Sequence, residues 1–148
     1  MILPDLIVYT DGASRCNPGH ASCAYLVGFA NKDPFKTHKQ YLGDNVTNNQ
    51  AEYRGMALAL AYLVELITTS PTRSFGSITV HSDSQLVVEQ INGKWKVRDA
   101  DLKATCEECQ GNLRILRERG YQVVLQWIPR EKNSRADQLC NEMLNEAV

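Results

Sequence analysis

The feature that most constrains the fold is an acid set where an apolar strand should continue. Residues 6–9 read "LIVY", an unbroken run of β-forming apolar side chains, as expected of a central strand covered on both faces. Thr10 follows, then Asp11 and Gly12, and a stretch of small and turn-forming residues closes with Asn17-Pro18-Gly19. The strand is expected to run from Leu6 to Thr10 and to stop at the carboxylate. A lone buried carboxylate is costly unless a cation or hydrogen-bond donors meet it. Whatever neutralises Asp11 must come from elsewhere in the chain.

The remaining pattern is one of alternating strands and helices. Residues 21–29 ("ASCAYLVGF") and 35–42 ("FKTHKQYL") are predicted strands separated by a turn at "ANKDP", which makes an antiparallel meander with the first strand. A helix is predicted over 48–66, with Thr47 or Asn48 as its N-cap, and a loop over 68–77. A short strand at 78–82 precedes a short helix at 84–92 that Gly93 ends. The basic loop "GKWKVR" leads into a helix over 99–119, stopped by Gly120. A last strand at 123–128 is broken by Pro129, and a helix over 133–147 closes the chain. The order βββαβααβα describes an α/β domain with helices around one mixed sheet. At 148 residues the whole chain, 1–148, is expected to form a single domain.

A net charge of -1 advertises no global basic field, so any nucleic-acid binding must come from local patches. Five cysteines, an odd number, suit a reducing interior better than a disulfide framework. The opening "MILPDL" has neither a basic flank nor a long apolar core, so neither a signal peptide nor a membrane span is expected. These features predict a cytoplasmic protein, monomeric, with no membrane association and no obligate protein partner.

Three further acids share the unusual placement of Asp11. Glu52 heads a stripe at helical spacing (Met56, Ala59, Leu63, Leu66) that should face the core. Asp83 directly follows the strand "ITVHS". Asp137 stands near the start of the last helix, with Cys140 and Leu144 at i+3 and i+7. Taken singly, each has an ordinary explanation: acids favour helix N-termini and turns. Four together at apolar boundaries point to a metal site. Carboxylates are hard ligands suited to Mg²⁺ or Mn²⁺, and clustered carboxylates holding two ions are common equipment for phosphodiester displacement.

The segments "YTDGASRCNPG", "TNNQAEYRGMALAL", "HSDSQLVVEQI" and "PREKNSRADQLCNEML" resemble, in order, the four motifs of the type 1 ribonuclease H family, and they span nearly the whole chain. The resemblance implies a five-stranded mixed sheet of order 3-2-1-4-5. It also implies endonucleolytic cleavage of the RNA strand of RNA–DNA hybrids by a two-metal-ion mechanism that leaves 5′-phosphate and 3′-hydroxyl ends. It makes Asp11, Glu52, Asp83 and Asp137 the ligands of two Mg²⁺ (or Mn²⁺) ions, which would meet the carboxylate of Asp11.

An enzyme for hybrids must detect the 2′-hydroxyl, and side-chain amides can both donate to it and accept from it. Asn17, Asn49 and Gln50 match family positions that contact the RNA strand. Ser14, Thr47 and Asn48 are candidates for sugar or phosphate contact, although Thr47 and Asn48 could equally be caps of the helix. Lys94 and Lys96 flank Trp95 in a pattern that suits phosphate tracking with one aromatic contact. A loop with Trp95 tucked into the core fits the same residues. Only this short loop stands where many bacterial members carry a longer basic protrusion, so weaker hybrid affinity is expected. The segment "WIPREKNSRAD" also lacks the histidine that many members carry before the last acid. Arg130 or Glu131 could fill that space, and Arg130 is the candidate retained, with a solvent-exposed loop arginine as its alternative.

Other motifs are readily set aside. "CEEC" at 106–109 has no second pair for a zinc site and falls on the stripe Leu102, Cys106, Cys109, Leu113, Leu116, which reads as core. Cys16 has no paired base, and His20, His38 and His81 are scattered. "DGA" on the first strand differs from the D-x-E of proofreading exonucleases. A non-catalytic hybrid-binding module would be favoured by loss of an acid, and all four are present.

Overall fold

A computed structural model describes residues 2–70 and 72–148; Met1, and Pro71 within the loop expected at 68–77, lie outside the described residues. The elements are β1 (Leu6–Ser14), β2 (Gly19–Phe29), β3 (Lys36–Val46), α1 (Asn48–Thr69), β4 (Ile78–Ser82), α2 (Gln85–Ile91), α3 (Ala100–Glu118), β5 (Val123–Trp127) and α4 (Ser134–Ala147), with a 3-10 turn at Arg130–Lys132. Their order is the expected one. The five strands form one sheet in the order β3-β2-β1-β4-β5. β1 runs antiparallel to β2 and parallel to β4, which pairs in parallel with β5.

β1 corrects the sequence reading. It does not stop at Thr10: its pairing with β2 continues through Asp11↔Ala24 to Ser14↔Ala21. What ends at Thr10↔Ser82 is the parallel pairing with β4. The apolar run therefore marks only the part of β1 with a partner on each side, and Asp11 lies inside the strand, at the first position past the end of the β4 ladder.

Other ends shift by smaller amounts. β3 runs past Leu42 to Val46, where Gly43 and Asn45 adopt positive φ (101° and 58°) and the ladder with β2 is irregular. α1 gains most of a turn beyond Leu66. Ser84 and Asp99 are N-caps rather than first helical residues. Ile128 leaves β5, yet its N–H still donates to the Ser82 carbonyl at 2.9 Å.

β2 is buried at every position from Ala21 to Gly28, which requires cover on both faces of the sheet. α1 and α4 both pack against β1, β2 and β3, while α3 packs along α1. The main core joins Leu6, Val8, Val27, Ile78 and Val80 of the sheet to Met56, Leu60 and Leu63 of α1 and to the full α3 stripe. Cys106 and Cys109 are thus packing residues, and all five cysteines are unpaired. No described helix is long and apolar enough to cross a membrane.

Two glycines set how closely α1 approaches β1. A Cβ on Gly12 would collide with the backbone of Ala51 and Glu52. One on Gly55 would stand 2.5 Å from the Asp11 carbonyl oxygen. Only residues without side chains let the helix lie this near the strand. The first turn of α1 is thereby held against the middle of β1.

Candidate active site

Each acid reaches the site from a different element. Asp11 projects from β1 just past the β4 ladder, and Glu52 from the first turns of α1. The start of α1 is fixed by a capping box: Thr47 Oγ1 accepts from the Gln50 N–H at 3.1 Å, and Gln50 Oε1 accepts from the Thr47 N–H at 2.9 Å. The Glu52 carboxylate also accepts a short hydrogen bond from the Gly12 N–H. Asp83 follows the last residue of β4.

One ligand oxygen each from Asp11, Glu52 and Asp83 all lie within 4.8 Å of one another. Asp137 lines the same groove of about 510 Å³, together with Arg130, but stands outside that tight group. It pairs with Arg130 Nη2 at 3.9 Å and accepts a long hydrogen bond from Asn141 Nδ2 at 3.5 Å.

The electrostatics follow from this crowding. Burial pushes the Asp11 carboxyl up to about 7; a hydrogen bond shared with Glu52 offsets part of the rise, and the charges of Asp83 and Asp137 add to it. Burial, then the neighbouring charge of Asp11, lifts Glu52 well above the usual carboxylate range. Among the described residues, Arg130 and Arg15 are the cations lining the groove, and the Arg130 side chain is 82% exposed. It cannot neutralise the buried pair. Three hard oxygen donors held together with uncompensated negative charge suit a divalent cation.

The amide-bearing residues gather next to the acids. Ser14, Asn48 and Asn49 line the acidic groove. Asn17, Thr47, Asn48, Asn49 and Gln50 line a second groove, of about 330 Å³, completed by Asp99 and Leu102 of the α3 start. Several of these groups are already engaged. Asn48 Oδ1 accepts from the Ser14 N–H at 2.8 Å, Asn17 Oδ1 accepts from the Asn48 N–H at 2.9 Å, and Ser14 Oγ donates to the Val46 carbonyl at 2.5 Å. Thr47 and Gln50 form the cap. The cap is therefore not made by Asn48, and Gln50 has a structural role as well as a place in the groove. Asn49 is exposed and makes no side-chain hydrogen bond among the described residues.

Lys94, Trp95 and Lys96 line neither groove, and all three are exposed. Trp95, 45% exposed, is not tucked into the core; Val97, partly buried, is what packs there.

Three contributors escaped the sequence reading. Gly55 is the close-approach residue opposite Asp11, and its only signal was a glycine inside a strong helix. Asn133, buried before α4, donates from Nδ2 to the Thr10 carbonyl at 2.8 Å, pinning the start of that helix, and hence Asp137, beside Asp11. An asparagine ahead of a helix reads as a cap, and nothing in the sequence names a strand as its partner. Trp127 donates from its indole N–H to the Asp83 carbonyl at 3.2 Å, which ties the end of β5 to the acid.

A sequence profile described as reverse transcriptase-like matches residues 9–143. Bifunctional protein Rv2228c of Mycobacterium tuberculosis is 34% identical over 143 residues, which are 97% of this chain and 36% of that protein. The chain thus spans about a third of the length of that relative. The solved N-terminal RNase H domain of the same mycobacterial protein superposes with a TM-score of 0.83, covering 97% of this chain and 96% of that one. RNase H1 of the halophilic archaeon Halobacterium salinarum gives a TM-score of 0.82 at 31% identity, covering 97% and 99%. LC11-RNase H1, isolated from compost by a metagenomic approach and solved with an RNA/DNA hybrid, gives 0.80 at 34% identity, covering 96% and 98%.

Proposed function

Because the chain belongs to the type 1 ribonuclease H family, we propose that it is a metal-dependent endoribonuclease that cleaves the RNA strand of RNA–DNA hybrids, leaving 5′-phosphate and 3′-hydroxyl ends. The observation that carries this reading is the group of Asp11, Glu52 and Asp83 oxygens within 4.8 Å, with Asp11 buried, Glu52 and Asp83 partly buried, and no side-chain cation among the described residues placed to balance them.

Those three carboxylates would hold two divalent ions, Mg²⁺ or Mn²⁺, with Asp137 completing the set from α4. Such ions, when bound, supply the positive charge that activates water and stabilises the phosphate being displaced. The protein's own part is positioning. The Gly12 N–H holds the Glu52 carboxylate toward Asp11, and Trp127 fixes the turn that carries Asp83. Arg130, exposed beside Asp137, attracts the scissile or departing phosphate and transfers no proton, since a guanidinium stays charged throughout the working range.

Asn17, Asn49 and Gln50 are assigned to reading the RNA strand. The exposed amide of Asn49 and the Gln50 NH₂, left over from the cap, are free to meet a 2′-hydroxyl. Ser14, Thr47 and Asn48 shape that surface chiefly by holding the turn and helix start. Lys94, Trp95 and Lys96 supply phosphate and stacking contacts farther along. A single domain acting as a monomer is sufficient for these roles, and five unpaired cysteines fit a reducing cytoplasm.

A strand-labelled panel tests the proposal: RNA–DNA hybrid, duplex RNA, duplex DNA and single-stranded RNA, each with Mg²⁺ or EDTA. Cleavage confined to the RNA of the hybrid, dependent on Mg²⁺ and giving products that a phosphatase shifts at the 5′ end, is the expected result. Equal cutting of duplex RNA, or full activity in EDTA, would overturn it.

A further inference from the structure

Gln90 of α2 is buried in an apolar surround at 7% exposure, and Tyr53 of α1 at 1%. Buried polar groups of this kind are retained only when their hydrogen bonds are met. Here they are. The Tyr53 hydroxyl donates to Gln90 Oε1 at 2.7 Å, and Gln90 Nε2 donates to the Lys96 carbonyl at 3.0 Å. The amide orientation is fixed by chemistry, because a carbonyl only accepts and so must face the NH₂.

The chain of contacts starts one residue from Glu52 and ends on the basic loop. Among the described residues the loop's other backbone hydrogen bonds are at its first residues, where the Lys94 and Trp95 N–H groups donate to the Glu89 carbonyl at 2.9 and 3.2 Å, while the Val97 side chain packs against the core. At its far end Asp99 caps α3, accepting from the Asp101 and Leu102 N–H groups at 2.9 and 3.0 Å. Asp99 and Leu102 also line the amide groove, which shares Asn48 and Asn49 with the acidic groove. The surface is therefore continuous from the carboxylates, past the amides, to the foot of the loop.

We propose that Tyr53 and Gln90 are positioning residues that hold the Lys94–Arg98 loop in one conformation, so that its cations meet the nucleic-acid phosphates at a fixed distance from the acidic site. The inference rests on the hybrid-cleaving function proposed above. A five-residue loop held by a buried amide presents its charges without the ordering cost of a free one, which places the effect in binding rather than in chemistry. Tyr53→Phe is the clean probe. It removes one oxygen and leaves Gln90 Oε1 buried without a donor, so the amide turns away and the Lys96 carbonyl is released.

Steady-state cleavage of a hybrid at several salt concentrations decides the matter, using wild type, Tyr53→Phe, Gln90→Met, and Lys94→Ala/Lys96→Ala with and without Tyr53→Phe. Tyr53→Phe is expected to raise KM by about threefold to tenfold, to keep kcat within about twofold, and to flatten the salt dependence of kcat/KM as loss of the lysines does. Added to the lysine-free protein, it should change nothing further. An unchanged KM and salt slope in Tyr53→Phe, a fall in kcat alone, or full additivity with the lysine substitutions would each overturn the proposal. Should Gln90→Met fail to fold, Tyr53→Phe carries the test. A wild type that leaves hybrids intact would refute the proposed function instead, a result distinct from any of these.

Discussion

Gly55 of α1 lies so near the Asp11 carbonyl of β1 that a Cβ in its place would stand 2.5 Å from the oxygen. That approach lets Glu52, one turn earlier on the helix, share a hydrogen bond with Asp11. Gly55→Ala would normally favour a helix, but here the added methyl meets backbone that cannot move aside. The substitution is expected to cost about 1–3 kcal/mol of stability and to push α1 off β1. Chemical denaturation together with hybrid cleavage checks this, with activity falling at least tenfold under conditions where the protein remains folded. A variant as stable and active as wild type would mean that the helix adjusts freely.

Asp11→Asn should abolish cleavage while leaving the fold intact. It should also remove a pH dependence. The Asp11 carboxyl titrates near 7 when folded against an ordinary value of 3.8, so the folded state holds the proton more tightly than the unfolded one. The corresponding stability is complete below about pH 4 and is lost as pH rises toward 7. In EDTA, the melting temperature of the wild type is therefore expected to fall by several degrees between about pH 5 and pH 8, beyond any drift in Asp11→Asn. Mg²⁺ at pH 8 should restore more of it in the wild type than in the variant. Parallel melting curves for the two proteins across this range would contradict the assignment of the shift to Asp11.

The gathering of Asp11, Glu52 and Asp83, with Asp137 lining the same groove, was legible in the sequence because each acid sits at an apolar boundary, where alternation and helical spacing give a direction to the side chain. The element order was legible through the alternation of apolar patterns and turn signals, and the strand order through the family motifs. What was not legible was how far β1 extends past the acid. The run "LIVY" reports burial on two ladders, whereas Asp11–Ser14 pair on one ladder only, and their small polar sequence resembles a turn. Nor could spacing show that Gln50 belongs to the cap, or that Trp95 faces solvent while Val97 packs inward. These depend on which of two neighbouring side chains reaches a distant partner, a choice that local pattern leaves open.

Asn49 and Gln50 are separable by experiment. Asn49→Ala should weaken cleavage by about 1–3 kcal/mol in kcat/KM with no change in melting temperature, since its amide has no partner among the described residues. Gln50→Ala should weaken cleavage and also cost about 1 kcal/mol of stability, because it dismantles the capping box at Thr47. Unchanged kcat/KM in both variants would assign the pair to structure alone.

Arg130 lies 3.9 Å from Asp137, with its side chain 82% exposed. As a phosphate-attracting group it should contribute about tenfold to a hundredfold to kcat, less than a carboxylate of the cluster. Arg130→Ala reports that contribution, and Arg130→His should add a new pH dependence near ~6.5. Pre-steady-state cleavage separates chemistry from product release; an Arg130→Ala protein matching wild type in both would make the residue a bystander on the loop.

On the function proposed above, Asp11, Glu52 and Asp83 would hold the divalent ions needed to cleave the RNA strand of a hybrid. The most direct test is a single-turnover assay of 5′-labelled RNA paired with DNA, comparing wild type and Asp11→Asn across a Mg²⁺ titration. Saturable Mg²⁺-dependent cleavage by the wild type and none by the variant at any Mg²⁺ concentration is expected, although both bind the hybrid. Comparable cleavage by Asp11→Asn, or cleavage by the wild type that is indifferent to Mg²⁺, would contradict it.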